Sequence, residues 1–155
     1  MYLSPALLVP LFALALARPQ DAAPAAAGSK KNVYLASCTS RSLYIADTAS
    51  AVVYYNGPVS GSSPADVGVV SEPARDWEGQ TRRVTLSAGR FTSSIAASAD
   101  ALLKSQIAGI AKLGDEDLVC FVDGTSTFRF REGLLGLGET TCKADYWCAS
   151  TDVGT

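Results

Sequence analysis

The chain has 155 residues, a net charge of −2 from 13 basic and 15 acidic residues, and no histidine. Without imidazole it cannot be a Ser-His-Asp or Cys-His hydrolase or a histidine-dependent zinc protease. Its negative charge argues against binding to nucleic-acid backbone or to anionic membranes. The remaining possibilities are catalysis by carboxylate groups and binding without catalysis.

An uncharged apolar run occupies residues 6–17 and then stops abruptly. A cleaved secretion signal needs about 7–15 apolar residues with small residues before the cut, and Ala15 and Ala17 supply these. The run is too short for a membrane-spanning helix, which needs roughly 20 apolar residues. We therefore expect a signal peptide over 1–17, an extracellular protein, and no transmembrane anchor in the mature chain.

Residues 18–31 are rich in Pro and Ala and lack a periodic apolar pattern, so we expect a flexible linker or pro-segment. Lys30 and Lys31 form a dibasic pair that is either a processing site, which would make Asn32 the mature N-terminus, or part of an ordinary linker. Residues 32–155 then form one domain. Without the three basic residues and the one acidic residue before Asn32, that domain has 10 basic and 14 acidic residues, a net charge of −4.

Four segments in the first part of this domain are rich in β-branched and aromatic side chains, and the first of them has a period-two rhythm. They predict strands at 32–38, 51–55, 67–70 and 82–86. Ser-, Gly- and Pro-rich residues between the second and third of these segments predict a loop over 59–64.

A helix is predicted from about 92 to 110. Thr92 to Ser94 offer hydroxyl caps. Apolar residues then recur at three- and four-residue steps, at Ile95, Ala99, Leu102, Leu103, Ile107 and Ile110. This apolar stripe is expected to pack against a sheet.

A β-hairpin is predicted from Leu118 to Phe130, because Asp123 and Gly124 separate two strand-like runs. A Gly-rich loop over 133–138 follows, and the segment from 140 to 148 returns to the body of the domain. These elements together predict an α+β fold, in which an antiparallel sheet is covered on one face by a single amphipathic helix.

The four cysteines, all within 32–155, predict two disulfides in an oxidising compartment. A zinc site is disfavoured because there is no Cys-x-x-Cys pair and no histidine. Sequence leaves three pairings open. We expect Cys120–Cys142 with Cys38–Cys148, since the segment after the Gly-rich loop returns near the predicted hairpin.

Several short segments of the domain resemble a family of small, effector-like secreted proteins of filamentous ascomycete fungi. They are Val33-Tyr34-Leu35 with Cys38, Trp77-Glu78-Gly79, Gly89 to Ser93, Val119 to Gly124, and Ala144 to Cys148. This family has no assigned activity, so the resemblance implies secretion but identifies no catalytic residue. A strand-helix-strand plan with disulfides is also similar to fungal killer toxins, whose cysteine pattern is denser.

Asp76 and Glu78 flank Trp77 in an irregular segment. A glycosidase needs two carboxyl groups about 5–9 Å apart, a separation that alternate residues of an extended chain approach. A small carbohydrate-active enzyme using Asp76 and Glu78 is therefore one hypothesis. The alternative is a surface turn with Trp77 inserted into the edge of the core.

Tyr146 and Trp147, like Trp77, are candidate binding residues, because an exposed aromatic ring would stack on a sugar or anchor a protein partner. For Tyr146 and Trp147, the alternative is burial against a disulfide. Asp115 to Asp117 offer oxygen ligands but lack the spaced loop of a calcium site, so we interpret them as a solvated turn.

The sequence thus favours a secreted, non-enzymatic binding module that recognises an extracellular protein or glycan. No cofactor, metal or nucleic acid is expected. The alternatives are a killer-toxin-like protein acting on membranes or channels and the carbohydrate-active enzyme.

Overall fold

The computed structural model describes residues 29–41, 46–59, 63–130 and 139–152. The predicted signal peptide and most of the predicted linker lie outside these ranges. None of the helical turns within them is long and apolar enough to cross a membrane. At the start of the described chain, Lys31 forms an ion pair of 2.5 Å with Glu116.

The described residues form nine strands of one antiparallel sheet: β1 Asn32–Arg41, β2 Ala46–Tyr55, β3 Asp66–Ser71, β4 Thr81–Leu86, β5 Gly89–Ile95, β6 Ile107–Leu113, β7 Glu116–Val122, β8 Thr127–Phe130 and β9 Glu139–Ser150. Their order is β3-β2-β1-β9-β7-β6-β5-β4, and β8 pairs with β9. The four strands predicted between 32 and 86 are confirmed as parts of β1 to β4. The α+β prediction is wrong, because the described chain is almost entirely sheet.

The edge strands β3 and β4 approach each other, so the sheet is nearly closed and barrel-like. A Cβ on Gly68 of β3 would lie 2.6 Å from Val84 Cγ2 of β4, which shows how closely the two strands pack. The backbone N–H of Ser87 donates a hydrogen bond to Asp66 at the same seam. Glycine at position 68 therefore allows the sheet to curl onto itself.

The predicted amphipathic helix over 92–110 is wrong. That segment forms the end of β5, a 3₁₀ turn at Ala99–Ala101 and the start of β6. Gly109 explains why the strands can pair, since a Cβ there would lie 2.2 Å from the carbonyl oxygen of Ser94. Long-range pairing of β5 with β6 thus overrides the helical spacing, and Ile107 and Ile110 point to solvent.

The predicted hairpin at Asp123 and Gly124 is also wrong. β7 and β8 pair with successive parts of β9, instead of with each other. The Asp123 carboxylate turns the chain between them by accepting hydrogen bonds from the backbone N–H and hydroxyl groups of Thr125 and Ser126. Although burial alone would raise the pKa of Asp123, these four bonds outweigh it and lower that pKa.

The prediction of two disulfides is confirmed, but the predicted pairing is wrong. The bonds are Cys38–Cys142 and Cys120–Cys148. Each joins residues that face each other on neighbouring strands, β1 with β9 and β7 with β9. Since β9 carries both Cys142 and Cys148, its pairing with β1 on one side and β7 on the other decides the connectivity.

Two apolar clusters stabilise the sheet. The inner cluster draws on both halves of the sheet and includes Leu35, Trp77, Phe91, Leu113 and Leu118. The second lies on the opposite face of β1, β2, β8 and β9, where the rings of Tyr34, Tyr55 and Phe128 contact one another. Each fully buried aliphatic or aromatic side chain contributes about 1.5–3 kcal/mol, so the fold has a substantial core.

Candidate functional site

The inner face of the sheet changes from apolar to polar along β1. Val33 and Leu35 are fully buried in the inner cluster. Because side chains alternate along a strand, the next residues on that face are Ser37, Thr39 and Arg41, and all three are exposed. The C-terminal ends of β1 and β8 and the N-terminal end of β9 thus extend beyond the core and form a polar surface.

This surface forms a groove of about 660 Å³. Its lining residues make three cross-strand rows, which we name from the open end inward: the outer row (Arg41, Glu139), the middle row (Thr39, Thr141, Arg129) and the inner row (Ser37, Lys143). The volume lies within the roughly 300–1,000 Å³ of typical ligand sites. Every lining residue that the structure describes is polar or charged, and none of them is aromatic.

Each row carries one cation: Arg41, Arg129 and Lys143. Among the described lining residues the single acid is Glu139, opposite Arg41. None of these four groups forms an ion pair with another residue of the described ranges. Within the described part of the chain these charges have no ion-pair partner, and a ligand can supply one.

The disulfide Cys38–Cys142 fixes the floor of the groove. Cys38 lies between Ser37 and Thr39 on β1, and Cys142 lies between Thr141 and Lys143 on β9. Both cysteines point to the opposite, buried face. The covalent bond therefore fixes the register of β1 against β9, and with it the pairing of residues within the middle and inner rows.

At its inner end the groove meets a second pocket of about 170 Å³, with Ser37 lining both. We name it the carboxylate pocket, and it is lined by Ser37, Ala74, Arg75, Asp76, Trp77, Glu78 and Asp145. The segment between β3 and β4 supplies most of these residues. Ser50 anchors that segment to β2 by donating a hydrogen bond of 2.7 Å to the Arg75 carbonyl and accepting one of 2.8 Å from its N–H.

Asp145 occupies an irregularity in β9. Leu35 faces Tyr146 and the next residue, Ala36, faces Ala144, so Asp145 is the extra residue of a β-bulge. Its Oδ2 accepts hydrogen bonds from the Ser37 hydroxyl at 2.7 Å and from the Trp77 indole at 3.2 Å. Burial raises the pKa of Asp145, and the negative charge of Glu78 adds to this rise, although the two hydrogen bonds oppose it.

Glu78 closes the opposite wall of the carboxylate pocket. It accepts a hydrogen bond from the hydroxyl of Tyr146, whose ring lies in the inner cluster. Burial and then this hydrogen bond raise the pKa of Tyr146. Asp76 and Glu78 do line one pocket, as the carbohydrate-active hypothesis requires, and Asp145 is a third carboxyl group that sequence reasoning missed.

The predicted aromatic binding residues lie in different surroundings. Trp77 and Tyr146 are 2% and 3% exposed, so their ring faces are packed in the core. Trp147 is half-buried on the face of the sheet opposite to the inner cluster, which we call the outer face. There it stacks on Phe121 with ring centroids 5.4 Å apart and donates a hydrogen bond to Asn32.

Around Trp147 the outer face carries exposed apolar side chains. Ile107 faces Phe121, which in turn faces Trp147, so the three form a row across β6, β7 and β9. Leu103, Ile107 and Ile110 are 65–74% exposed. Contiguous apolar surface of this kind is typical of interaction sites.

Asp115 to Asp117 lie at the turn between β6 and β7. Glu116 pairs with Lys31, and Asp117 forms an ion pair of 3.2 Å with Lys112. Across the described part of the chain, no cluster of His, Cys, Asp or Glu side chains is arranged to hold a metal ion. Of these three acidic residues, Glu116 and Asp117 thus each interact with a lysine.

Comparison with protein-family models, with curated proteins and with solved structures found no match. The groove and the carboxylate pocket are therefore interpreted from their own geometry.

Proposed function

We propose that the protein is a secreted, non-enzymatic binding module that holds an extracellular ligand in the polar groove. The observation that carries the proposal is a concave face of about 660 Å³ with three cations, none of which forms an ion pair with any residue that the structure describes. A cleft lined mainly by charges of one sign raises the local concentration of oppositely charged ligands, and complementary charges then contribute to specificity.

The scaffold suits binding outside the cell. Both disulfides attach to β9, the strand that supplies Glu139, Thr141 and Lys143 to the groove. Disulfides persist in oxidising compartments, and a groove that is rigid before binding loses less entropy on complex formation. This supports the predicted export of the protein and its similarity to small secreted proteins.

The test is a glycan array and a peptide array probed with the wild type and with Thr141→Tyr, which places a large ring in the middle row. Thr85→Tyr is the matched control, because Thr85 is equally exposed but lies on β4. We expect ligands that bind wild type and Thr85→Tyr but are lost in Thr141→Tyr. Ligands that bind all three proteins equally would place binding outside the groove.

The carbohydrate-active enzyme remains a second candidate, because Asp145 has a raised pKa beside Glu78 and shares a pocket with Asp76. A carboxyl group with a raised pKa next to an ionised one is the arrangement of a general acid and its partner. Asp145 lines the pocket of about 170 Å³, which is below the usual range for ligand sites, whereas the adjoining cavity of about 490 Å³ is lined by Asp76 and Glu78 but not by Asp145.

Hydrolysis of a panel of polysaccharides by wild type, Asp145→Asn and Glu78→Gln tests the second candidate. Asp117→Asn, on the outer side of the sheet, is the control. Loss of hydrolysis in the first two variants alone supports the enzyme. Hydrolysis at full rate in both would remove these carboxyl groups from any mechanism.

A further inference from the structure

We propose that the groove accepts an extended acidic segment of a partner protein, with carboxylates at alternate positions. The inference rests on the proposed function and names the ligand class. Neighbouring rows are two residues apart along β1 and β9, which is about 6.6–6.8 Å. Alternate side chains of an extended peptide repeat at the same distance, so each row meets one ligand side chain.

The charges of the rows indicate which side chains fit. Arg129 in the middle row and Lys143 in the inner row face no acidic side chain across the groove, whereas Arg41 in the outer row faces Glu139. The lining residues within the described ranges have a net charge of +2, in a chain whose total is −2. Carboxylates are therefore attracted most strongly at the middle and inner rows, and the hydroxyls of Thr39, Thr141 and Ser37 offer further hydrogen bonds to them.

The inner end of the groove has the opposite charge. Beyond Ser37 lie Asp145, Asp76 and Glu78, with Arg75 as the cation of the carboxylate pocket. A ligand that continues inward is therefore favoured if its next facing side chain is basic. The matching pattern is acid-x-acid-x-base, with the basic residue toward Asp145.

This reversal of charge distinguishes a peptide from an acidic polysaccharide. A chain of uronate sugars carries a negative charge on every ring and would place one of them against Asp145. Sugar rings are also commonly bound on aromatic faces, and the part of the groove lining that the structure describes has no aromatic ring. Both observations favour the peptide.

The probe is the capped peptide Thr-Glu-Thr-Glu-Thr-Lys-Thr, which presents both acids and the base on one face when extended. Its control, Thr-Thr-Glu-Glu-Thr-Lys-Thr, has the same composition but directs the two acids to opposite faces. Tetragalacturonate represents the acidic polysaccharides. Binding of each is measured by calorimetry with the wild-type domain at low and physiological salt.

We expect the alternating peptide to bind at least about fivefold more tightly than its control, with an affinity that falls as salt rises. Arg129→Gln and Lys143→Gln should each weaken binding by about fivefold, the scale of one charged contact. Glu139→Gln should strengthen it. Arg83→Gln, at an exposed position of β4, should leave it unchanged.

Equal affinity for the two peptides would overturn the proposal. Tighter binding of tetragalacturonate than of either peptide would also overturn it. If Arg129→Gln weakened the binding of tetragalacturonate to the same extent, the groove would remain the binding site, but for a different ligand. If Thr141→Tyr bound the alternating peptide as tightly as wild type, the peptide would lie outside the groove and the proposal would also fail.

Discussion

The indole N–H of Trp77 donates a hydrogen bond of 3.2 Å to the Asp145 carboxylate, at the boundary between the apolar interior and the polar groove. Trp77 is 2% exposed and fills the interior, while Asp145 also binds the Ser37 hydroxyl. The contact thus joins the segment between β3 and β4 to the bulge of β9.

Asp145→Ala should therefore destabilise the protein. It leaves the buried N–H of Trp77 without its acceptor, which costs about 1–3 kcal/mol. Urea unfolding at neutral pH, followed by tryptophan fluorescence, measures the loss. Asp152→Ala, near the C-terminal end of the described chain, is the control. An unchanged free energy of unfolding in Asp145→Ala would show that this contact does not stabilise the fold.

Asp145→Asn should behave differently, because the amide oxygen still accepts the Trp77 hydrogen bond. The folded-state pKa of Asp145 is raised, so its stabilising effect is complete below the unfolded pKa of about 3.9 and is lost as pH rises through the folded value. The asparagine variant lacks this loss. Its free energy of unfolding relative to wild type should increase from pH 3.5 to pH 7. A constant or decreasing difference would contradict the raised pKa of Asp145 in the folded state.

Asp123 should show the opposite pH dependence. Its folded-state pKa is lowered, so its contribution is present above the unfolded pKa of about 3.9 and is lost as pH falls through the folded value. Asp123→Ala removes the acceptor of four hydrogen bonds and should cost about 2–3 kcal/mol at pH 7.

Chemical denaturation of wild type and Asp123→Ala at pH 7 and pH 2.5 measures this effect. The difference between the two proteins should shrink at the lower pH. A difference that is the same at both would mean that ionisation of Asp123 does not hold the turn between β7 and β8.

Gly109→Ala should disrupt the pairing of β5 with β6. The added methyl group would lie 2.2 Å from the backbone oxygen of Ser94, which cannot move aside without breaking the ladder. We expect a cost of about 3 kcal/mol. Gly68→Ala should cost less, because the nearest atoms there are side-chain methyl groups. Thermal unfolding of the two variants gives the comparison, and a reversed order would contradict the packing described for these strands.

The two disulfides should contribute unequally. They close loops with sequence separations of 104 and 28 residues, for which chain entropy gives about 4.7 and about 3.6 kcal/mol. Replacing Cys38 and Cys142 by alanine should therefore destabilise the protein by about 1 kcal/mol more than replacing Cys120 and Cys148. Denaturant unfolding of the two double variants tests this, and equal losses would contradict it. Peptide mapping of the unreduced protein tests the connectivity itself.

The strands up to Leu86 could be predicted because a period of two and β-branched residues are local signals. The helix over 92–110 could not be rejected from sequence, because Ile95, Ala99 and Ile110 happen to satisfy a helical spacing as well. The long-range pairing of β5 with β6, which Gly109 permits, decides that this segment forms strands. The hairpin at Asp123 failed for a similar reason, since β9 offers a partner to both β7 and β8.

The candidate site was predicted in part. Asp76 and Glu78 were chosen for their spacing, and they do share a pocket. Asp145 was missed because its position depends on a bulge that only the pairing of β1 with β9 creates. The groove had a local signal: polar residues at Ser37, Thr39 and Arg41, and again at Glu139, Thr141 and Lys143, alternate with residues that point to the other face.

Amide chemical-shift mapping of the tightest-binding array ligand tests the proposed groove most directly. The account predicts that the largest shifts fall on Ser37, Thr39, Thr141 and Lys143 and disappear in Thr141→Tyr. Shifts confined to the outer face, at Ile107, Ile110, Phe121 and Trp147, would show that the exposed apolar surface binds the ligand and that the groove does not.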